Sequence, residues 1–199
     1  MLVKSWMVKK LITIERDCTV VEALSVMKKY SIRHLPVVED KRLVGLITES
    51  DLREVMLPSL VRDIPVDQVM IEDPVTIGPR DSLEEAARII FKNKIGGLPV
   101  VDRGRLIGIL TTPDILAAFI DLMGLLQTSS RLDVRLAEKA QAFEEASGII
   151  QKNGGEIISV GLMGKGKQKT HFFRLKRAPL EPIIRSLEKK GHRVISSEE

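Results

Sequence analysis

Residues 35–51 read LPVVEDKRLVGLITESD, and residues 98–114 repeat this stretch as LPVVDRGRLIGILTTPD. The match extends over residues 3–52 and 66–115, which align at a constant offset of 63 without a gap, with 17 identities among 50 pairs. A repeat of this kind determines the architecture, because each copy is one supersecondary unit that must pack on a neighbour. The sequence therefore predicts a duplicated module in the first part of the chain.

Each copy carries the same local pattern, which predicts the element order β-α-β-β-α. A short strand is expected at residues 12–14 and again at 75–77, followed by an amphipathic helix. The LPVV strand then leads through a polar turn into a second apolar strand, and a second helix starts at Thr48 or Thr111. A unit of this size buries too little apolar surface to be robust alone, so we expect the two copies to pack on each other.

The first helix of each copy should begin at a capping box, in which a hydroxyl and a carboxylate three residues apart satisfy free backbone amides. Thr19 and Glu22 supply the pair in the first copy, and Ser82 and Glu85 supply it in the second. The boxes predict that both helices begin at equivalent positions.

The second helix of each copy starts with a Thr-x-x-Asp element, formed by Thr48 and Asp51 and again by Thr111 and Asp114. One interpretation is structural, because a threonine cap followed by an acidic first turn stabilises a helix start, and Pro113 suits the first turn. The other is a ligand site, because a helix N-terminus attracts phosphate and a nearby carboxylate can accept both hydroxyls of a ribose. Recurrence in both copies favours the ligand site.

Residues 45–51 and 108–114, each preceded by a hydrophobic-x-x-Leu-Pro-Val-Val pattern, resemble the motif of CBS domains. In that family two copies pair head to tail around a pseudo-twofold axis as a Bateman module, whose clefts commonly bind AMP, ADP, ATP or S-adenosylmethionine. The resemblance implies that the two aspartates hold ribose hydroxyls, that the two threonines face phosphate or ribose, and that the first strands and the stretches before the Leu-Pro pairs flank the adenine. The implied nucleotide-binding residues are Ile12, Thr13, Arg33, His34, Pro36, Thr48, Asp51, Val75, Thr76, Gly96, Gly97, Pro99, Thr111 and Asp114.

The two copies differ where a ligand should lie, because Arg33 and His34 of the first correspond to Gly96 and Gly97 of the second. An arginine can bind phosphate through two parallel hydrogen bonds, whereas glycines permit close approach of the backbone. We therefore expect two sites of unequal affinity, although His34 could also be an ordinary interface side chain. Further candidates for phosphate contact are Arg16, Arg53 and Arg80.

The second half has a different pattern, after an expected linker at residues 128–130. Its predicted order, β-α-β-β-α-β, is the ferredoxin-like split motif. The predicted elements are a strand at 131–136, a helix at 138–152 stopped by Asn153-Gly154-Gly155, a hairpin of 156–162 and 170–176, a helix at 180–190 ended by Gly191, and a strand at 193–196.

This half is similar to ACT domains, especially across residues 148–160, GIIQKNGGEIISV. ACT domains usually bind amino acids at a Pro-Gly pair between the first strand and helix, where this chain has Ala140 and Gln141. The resemblance therefore favours pairing between subunits over amino-acid binding. A CBS pair followed by an ACT-like domain resembles the acetoin-utilisation regulatory proteins.

Composition narrows the function classes. Residues 131–199 carry a net charge of +5 and the first 130 residues carry −1, which leaves a nucleic-acid partner for the basic half as an alternative. Aromatic residues are only 4%, too few for a platform on which nucleic-acid bases stack.

The single cysteine, Cys18, allows no internal disulfide and suggests a reducing, cytoplasmic setting. The N-terminus shows no signal-like stretch, and residues 115–126 are too short to span a bilayer, which favours a buried or dimer-forming helix.

No catalytic or metal constellation is predicted, because the three histidines, His34, His171 and His192, are dispersed. Residues 161–167 nearly match a P-loop, but Gln168 replaces the Ser/Thr that binds magnesium and a strand is expected to follow. CBS pairs also occur inside enzymes such as inosine monophosphate dehydrogenase, but we find no catalytic barrel in this sequence.

The sequence thus predicts an α+β protein with a tandem CBS pair at 1–126 (repeats at about 3–57 and 66–120) and an ACT-like βαββαβ domain at 131–199. The expected function is that of a non-enzymatic cytoplasmic sensor, in which an adenine nucleotide binds unequally to two conformations and so alters a partner's activity. Acetoin or energy metabolism is the setting that the resemblance suggests. No cofactor or membrane partner is expected. We expect the protein to form a homodimer through the CBS or ACT-like domains. The alternatives are a nucleic-acid-linked regulator and a structural subunit with vestigial clefts.

Overall fold

The computed structural model describes residues 1–55, 64–126 and 128–199. The chain divides into two compact units, Met1–Leu116 and Ala117–Glu199. This boundary lies inside the helix Thr112–Leu122, ahead of residue 126, where the sequence predicted the first domain to end. The predicted end of the first repeat, at residue 57, lies outside the described residues.

Both repeats have the predicted order β-α-β-β-α, but the first strands are shorter than predicted. Instead of the strand predicted at residues 12–14, a strand of two residues forms at Ile14–Glu15. Of the strand predicted at residues 75–77, Ile77 alone makes a parallel bridge, to Val100. The first repeat consists of β1 (Ile14–Glu15), α1 (Val20–Tyr30), β2 (His34–Glu39), β3 (Arg42–Thr48) and α2 (Glu49–Val55). The second consists of β4 (Ile71–Glu72), α3 (Leu83–Asn93), β5 (Gly97–Asp102), β6 (Arg105–Thr111) and α4 (Thr112–Leu122).

The two repeats exchange their N-terminal segments. Strand β4 lies at the start of the second repeat, yet it pairs with β3 of the first, where Ile71 lies opposite Leu46. Reciprocally, Val8 forms an antiparallel bridge with Ile109 of β6 in the second repeat. Each repeat therefore completes the other's sheet, which gives the pseudo-twofold pairing that two incomplete cores require.

Local chemistry explains the turns and helix starts. The β2–β3 turn uses Asp40 and Lys41 at φ values of 48° and 65°, the left-handed geometry that suits a two-residue hairpin. The capping box of α1 is confirmed, with both reciprocal hydrogen bonds present. At α3 only half of the predicted box forms, because Ser82 accepts from the Glu85 amide at 3.1 Å while the Glu85 carboxylate pairs with Arg88.

The core of the first repeat is aliphatic, as the low aromatic content predicts. Residues from α1, β2 and β3 pack there with Val66 and Met70, which precede β4. The fully buried side chains include Val20, Ala23, Leu35, Val37, Ile47, Leu52 and Val66.

The second unit contains a four-stranded antiparallel sheet in the order β10-β7-β9-β8. Its element order and strand order are those of the split βαββαβ motif. The core contains Phe173 and is otherwise aliphatic. The elements are β7 (Ser129–Arg135), α5 (Ala142–Lys152), β8 (Ile157–Met163), β9 (Thr170–Lys176), α6 (Glu181–Lys189) and β10 (Arg193–Glu198).

Two boundaries in this unit differ from the sequence prediction. The expected linker is wrong, because Ser129 and Ser130 belong to β7, and the buried Ser130 hydroxyl accepts from the Ala178 amide at 3.2 Å. Helix α5 begins four residues later than predicted, because Gln141 adopts a left-handed φ of 58° immediately before it. The preceding loop is anchored by a hydrogen bond from the Ala137 amide to Nδ1 of His192.

Candidate functional site

The first cleft is a cavity of about 600 Å³ at the start of α2. Thr48 and Asp51 of the first repeat form one side of it. Across from them lie Val75 and the pair Gly96-Gly97, which belong to the second repeat. This cleft therefore needs both repeats.

The second cleft is a cavity of about 300 Å³ at the start of α4. Here Thr111 and Asp114 come from the second repeat, while Ile12 and Pro36 come from the first. The arrangement is that of the first cleft with the roles of the repeats exchanged, and it follows from the exchanged N-terminal segments described above. A sequence repeat alone does not show that each Thr-x-x-Asp element faces the other copy.

The Thr-x-x-Asp elements have the same geometry in both clefts. Oδ2 of Asp51 accepts hydrogen bonds from the Thr48 amide at 2.8 Å and from the Thr48 hydroxyl at 2.7 Å. Oδ2 of Asp114 accepts the same two bonds from Thr111, at 2.7 and 2.5 Å. The cap therefore occupies one carboxylate oxygen, and within the described chain no donor reaches the other oxygen of either aspartate. Capping and ligand binding are thus compatible.

His34 lies at the boundary between the two clefts and lines both. Its ring packs on the second repeat so closely that a Cβ on Gly96 would lie 2.7 Å from Nε2. Burial, followed by the nearby Arg33 guanidinium, lowers the pKa of His34, and the Asp51 carboxylate opposes this shift only in part. The imidazole is therefore neutral at physiological pH, and His34 is both an interface side chain and a cleft residue.

The first cleft also contains charged residues that were not predicted from the sequence, Glu49 among them. Glu49 forms an ion pair of 2.7 Å with Arg53, and this hydrogen bond holds the pKa of the Glu49 carboxyl below its ordinary value. Lys94 also lines this cleft, and Lys10 lines the second. The two lysines do not recur at the 63-residue offset, so the repeat could not reveal them.

Several predicted site residues lie elsewhere. Thr13 and Thr76 are exposed and line neither cleft, and the buried Pro99 contributes its carbonyl to an Ile77 amide instead. Among the phosphate candidates, Arg53 lies in the first cleft, whereas Arg16 pairs with Glu72 at 3.6 Å outside both. The remaining candidate, Arg80, also lines neither cleft.

Within the described part of the chain, no cluster of three or more histidine, cysteine or acidic side chains could hold a metal ion. None of its helices has the length and apolar character needed to cross a bilayer.

At the P-loop-like segment, a short 3-10 turn at Gly166–Gln168 leads into β9 rather than into a helix.

Two interlocked βαββα repeats, with a Thr-x-x-Asp cleft at each of two related positions, define a paired two-cleft module. The family model described as "CBS domain" matches residues 3–58 and 61–121, which is more than half of the chain. This chain belongs to the CBS domain family.

Similar proteins include a CBS domain-containing protein of Dictyostelium discoideum, 39% identical over an alignment of 135 residues that covers 61% of this chain and 93% of that protein. Inosine-5'-monophosphate dehydrogenase of Korarchaeum cryptofilum is 35% identical over 113 residues, but these are 56% of this chain and only 23% of the enzyme. The chain thus spans less than a quarter of that enzyme's length.

Several solved structures match about three fifths of this chain. A putative acetoin utilization protein from Vibrio cholerae matches with a TM-score of 0.58 and 34% identity, covering 63% of this chain and 94% of that one. CBSX2 in complex with AMP matches with a TM-score of 0.56 and 30% identity, covering 60% and 96%. The CBS domain pair of protein MJ0100, in complex with 5'-methylthioadenosine and S-adenosyl-L-methionine, matches with a TM-score of 0.54 and 31% identity, covering 60% and 95%.

Proposed function

We propose that this chain is a non-enzymatic regulatory protein that binds adenine nucleotides in its two CBS clefts. The observation that carries the proposal is the free carboxylate oxygen of Asp51 and of Asp114, each held at a cavity wall by a threonine cap. A ribose offers two adjacent hydroxyl donors, and an ionised carboxylate oxygen is a strong acceptor for them. Two structural neighbours of the same family, solved with AMP and with S-adenosylmethionine and methylthioadenosine, support this ligand class.

The apolar walls fit the base of such a ligand. Ile12 and Pro36 line the second cleft, and Val75 and Ile95 line the first, so an adenine ring would be bounded by aliphatic side chains. Arg33 borders both clefts and can donate two parallel hydrogen bonds to phosphate oxygens. Of the predicted binding residues, we retain those that line a cleft.

Regulation requires that the ligand bind two conformations unequally. Each cleft is built from both repeats, so a ligand that contacts both repeats changes the free energy of the repeat–repeat arrangement.

We propose that the βαββαβ unit is an ACT-like domain and that the protein forms a homodimer through this unit or the CBS pair. The link to acetoin utilisation is part of this proposal and is supported by the Vibrio cholerae neighbour.

The test is isothermal titration of the full chain with AMP, ADP, ATP, S-adenosylmethionine and methylthioadenosine, alongside thermal unfolding. A ligand present at 100 times its dissociation constant should stabilise the protein by about 2.7 kcal/mol. Asp51→Ala and Asp114→Ala should each remove one binding event, and the double variant should remove both. Asp67→Ala, an exposed carboxylate outside both clefts, is the matched control.

Because Asp51→Ala and Asp114→Ala also remove a helix cap, circular dichroism must show that each variant is folded at the titration temperature. Asp51→Asn and Asp114→Asn offer a second route, since an amide oxygen can retain the bond from the threonine amide while the charge is lost. If none of the five ligands binds to the unaltered chain, the proposal is contradicted and vestigial clefts are favoured.

A further inference from the structure

The two clefts share a wall. Arg33, His34 and Gly96 line both of them, and the His34 ring lies against Gly96 where a larger residue could not fit. Arg33 and His34 therefore border two cavities at once. Any ligand group that draws Arg33 toward one cleft withdraws it from the other.

The charges that line the clefts balance separately, except for this shared arginine. In the first cleft the cations Arg53 and Lys94 are matched by Glu49 and Asp51. In the second cleft Lys10 is matched by Asp114. Arg33 therefore supplies the net positive charge of whichever cleft it serves, and no acidic residue that the structure describes forms an ion pair with it.

We propose that Arg33 is one cation serving two clefts, so that a phosphorylated adenine nucleotide in one cleft weakens binding of a second phosphorylated nucleotide in the other. The favoured doubly occupied state then holds one phosphorylated nucleotide and one adenine nucleoside without phosphate. This inference rests on the proposed function and specifies how its two sites are coupled.

The physical reason is the distribution of charge across a thin protein partition. A phosphate that engages Arg33 takes the guanidinium's two parallel donors and neutralises its charge. The other cleft is then left with balanced charges of its own, and it experiences the first phosphate through protein rather than water, where Coulomb repulsion is less attenuated. A nucleoside without phosphate meets neither penalty, since it needs only the ribose aspartate and the apolar walls.

The test compares AMP titrations of the unaltered chain with those of Asp51→Ala and Asp114→Ala, each of which leaves one cleft intact. We expect the weaker AMP site of the unaltered chain to become about tenfold tighter when the other cleft is disabled, within the usual range of coupling between sites. Adenosine, which lacks the phosphate, should bind the AMP-loaded protein about as well as it binds the corresponding single-cleft variant. Sites whose AMP dissociation constants are the same in single-cleft and unaltered protein would overturn the inference.

Arg33→Gln supplies the second measurement. It should weaken AMP at both clefts, leave adenosine nearly unaffected and abolish the gain in affinity that follows from disabling one cleft. Arg16→Gln, which removes an arginine outside both clefts, is the matched control and should preserve the coupling. Failure of AMP to bind either cleft would contradict the proposed function itself, whereas two independent AMP sites would leave that function intact and refute only the coupling.

Discussion

The sulfur of Met70 occupies the space beside Gly45, so that a Cβ built on this glycine would lie 2.3 Å from the sulfur. The reciprocal contact joins Met7 to Gly108, where the corresponding distance is 2.5 Å. In each case the methionine lies near the start of one repeat and the glycine lies in the last strand of the other. These four residues are identities of the sequence repeat, and their conservation between copies is explained by one packing contact made twice.

Gly45→Ala should therefore destabilise the protein. The added methyl group would overlap the buried Met70 side chain, and overpacking of this kind typically costs about 1–3 kcal/mol. Urea denaturation monitored by circular dichroism would measure the change. Combining Gly45→Ala with Met70→Ala should cost less than the sum of the two single changes, because the truncation makes room for the methyl group. Strict additivity would contradict this packing relationship.

Gly148→Ala is the matched glycine substitution with the opposite expected sign. Gly148 lies within α5, and a Cβ there would meet no atom within 4 Å. Alanine in a helix interior is favoured over glycine by roughly 0.5–1 kcal/mol, so the same denaturation experiment should show increased stability. A loss of stability would mean that the surface around this position is not open.

Gln141→Gly should also stabilise the second unit. Gln141 has a φ of 58°, and a non-glycine residue in the left-handed region costs about 1–2 kcal/mol, offset in part by the greater chain entropy of glycine. Differential scanning calorimetry should show a net gain of up to about 1 kcal/mol. Gln141→Ala retains the backbone cost and should show no such gain, which separates this effect from loss of the side chain.

Asp133→Asn should destabilise the sheet of the second unit. The buried carboxylate accepts two bonds of 2.7 Å from the Arg131 guanidinium and one of 2.5 Å from the Ser196 hydroxyl, joining β7 to β10. Loss of a charged acceptor at such a site typically costs about 1–3 kcal/mol. Glu181→Gln removes an exposed ion pair on α6, which solvent screens, and should change thermal stability far less. Equal effects of the two changes would contradict the role assigned to Asp133.

The stability of the protein should fall as the pH drops below about 6.5, the pKa of an unperturbed histidine. Burial and Arg33 lower the pKa of His34 in the folded state, so between the two pKa values the unfolded chain binds more protons. The loss begins near the unfolded pKa and levels off below the folded one.

His34→Asn should flatten this part of the pH dependence, measured as the free energy of unfolding between pH 7.5 and about pH 5. The effect should be partial, because burial followed by Lys169 also lowers the pKa of His171 in the second unit. His171→Asn is therefore the companion variant. An unchanged profile in His34→Asn would show that the imidazole is not held in its neutral form.

Much of the local structure was predictable because it depends on near neighbours in the chain. The helix start at Thr19, the left-handed turn at Asp40 and the glycine that ends α6 at Gly191 each follow from the chemistry of a few consecutive residues. Prediction failed where distant partners decide. Ser130 looked like part of a linker, but its hydroxyl is buried against Ala178, 48 residues away.

The sequence by itself determined the duplicated βαββα unit, the family to which it belongs and the two Thr-x-x-Asp elements. The reason is that repetition and helix capping both depend on the spacing of residues along the chain. Tertiary structure alone decided that each element faces the other repeat, since the N-terminal segments are exchanged between the two sheets. It also placed Arg33 and His34 at both clefts. A residue can line two clefts only when the folded chain brings the clefts together. The spacing of residues along the sequence does not show which clefts are adjacent.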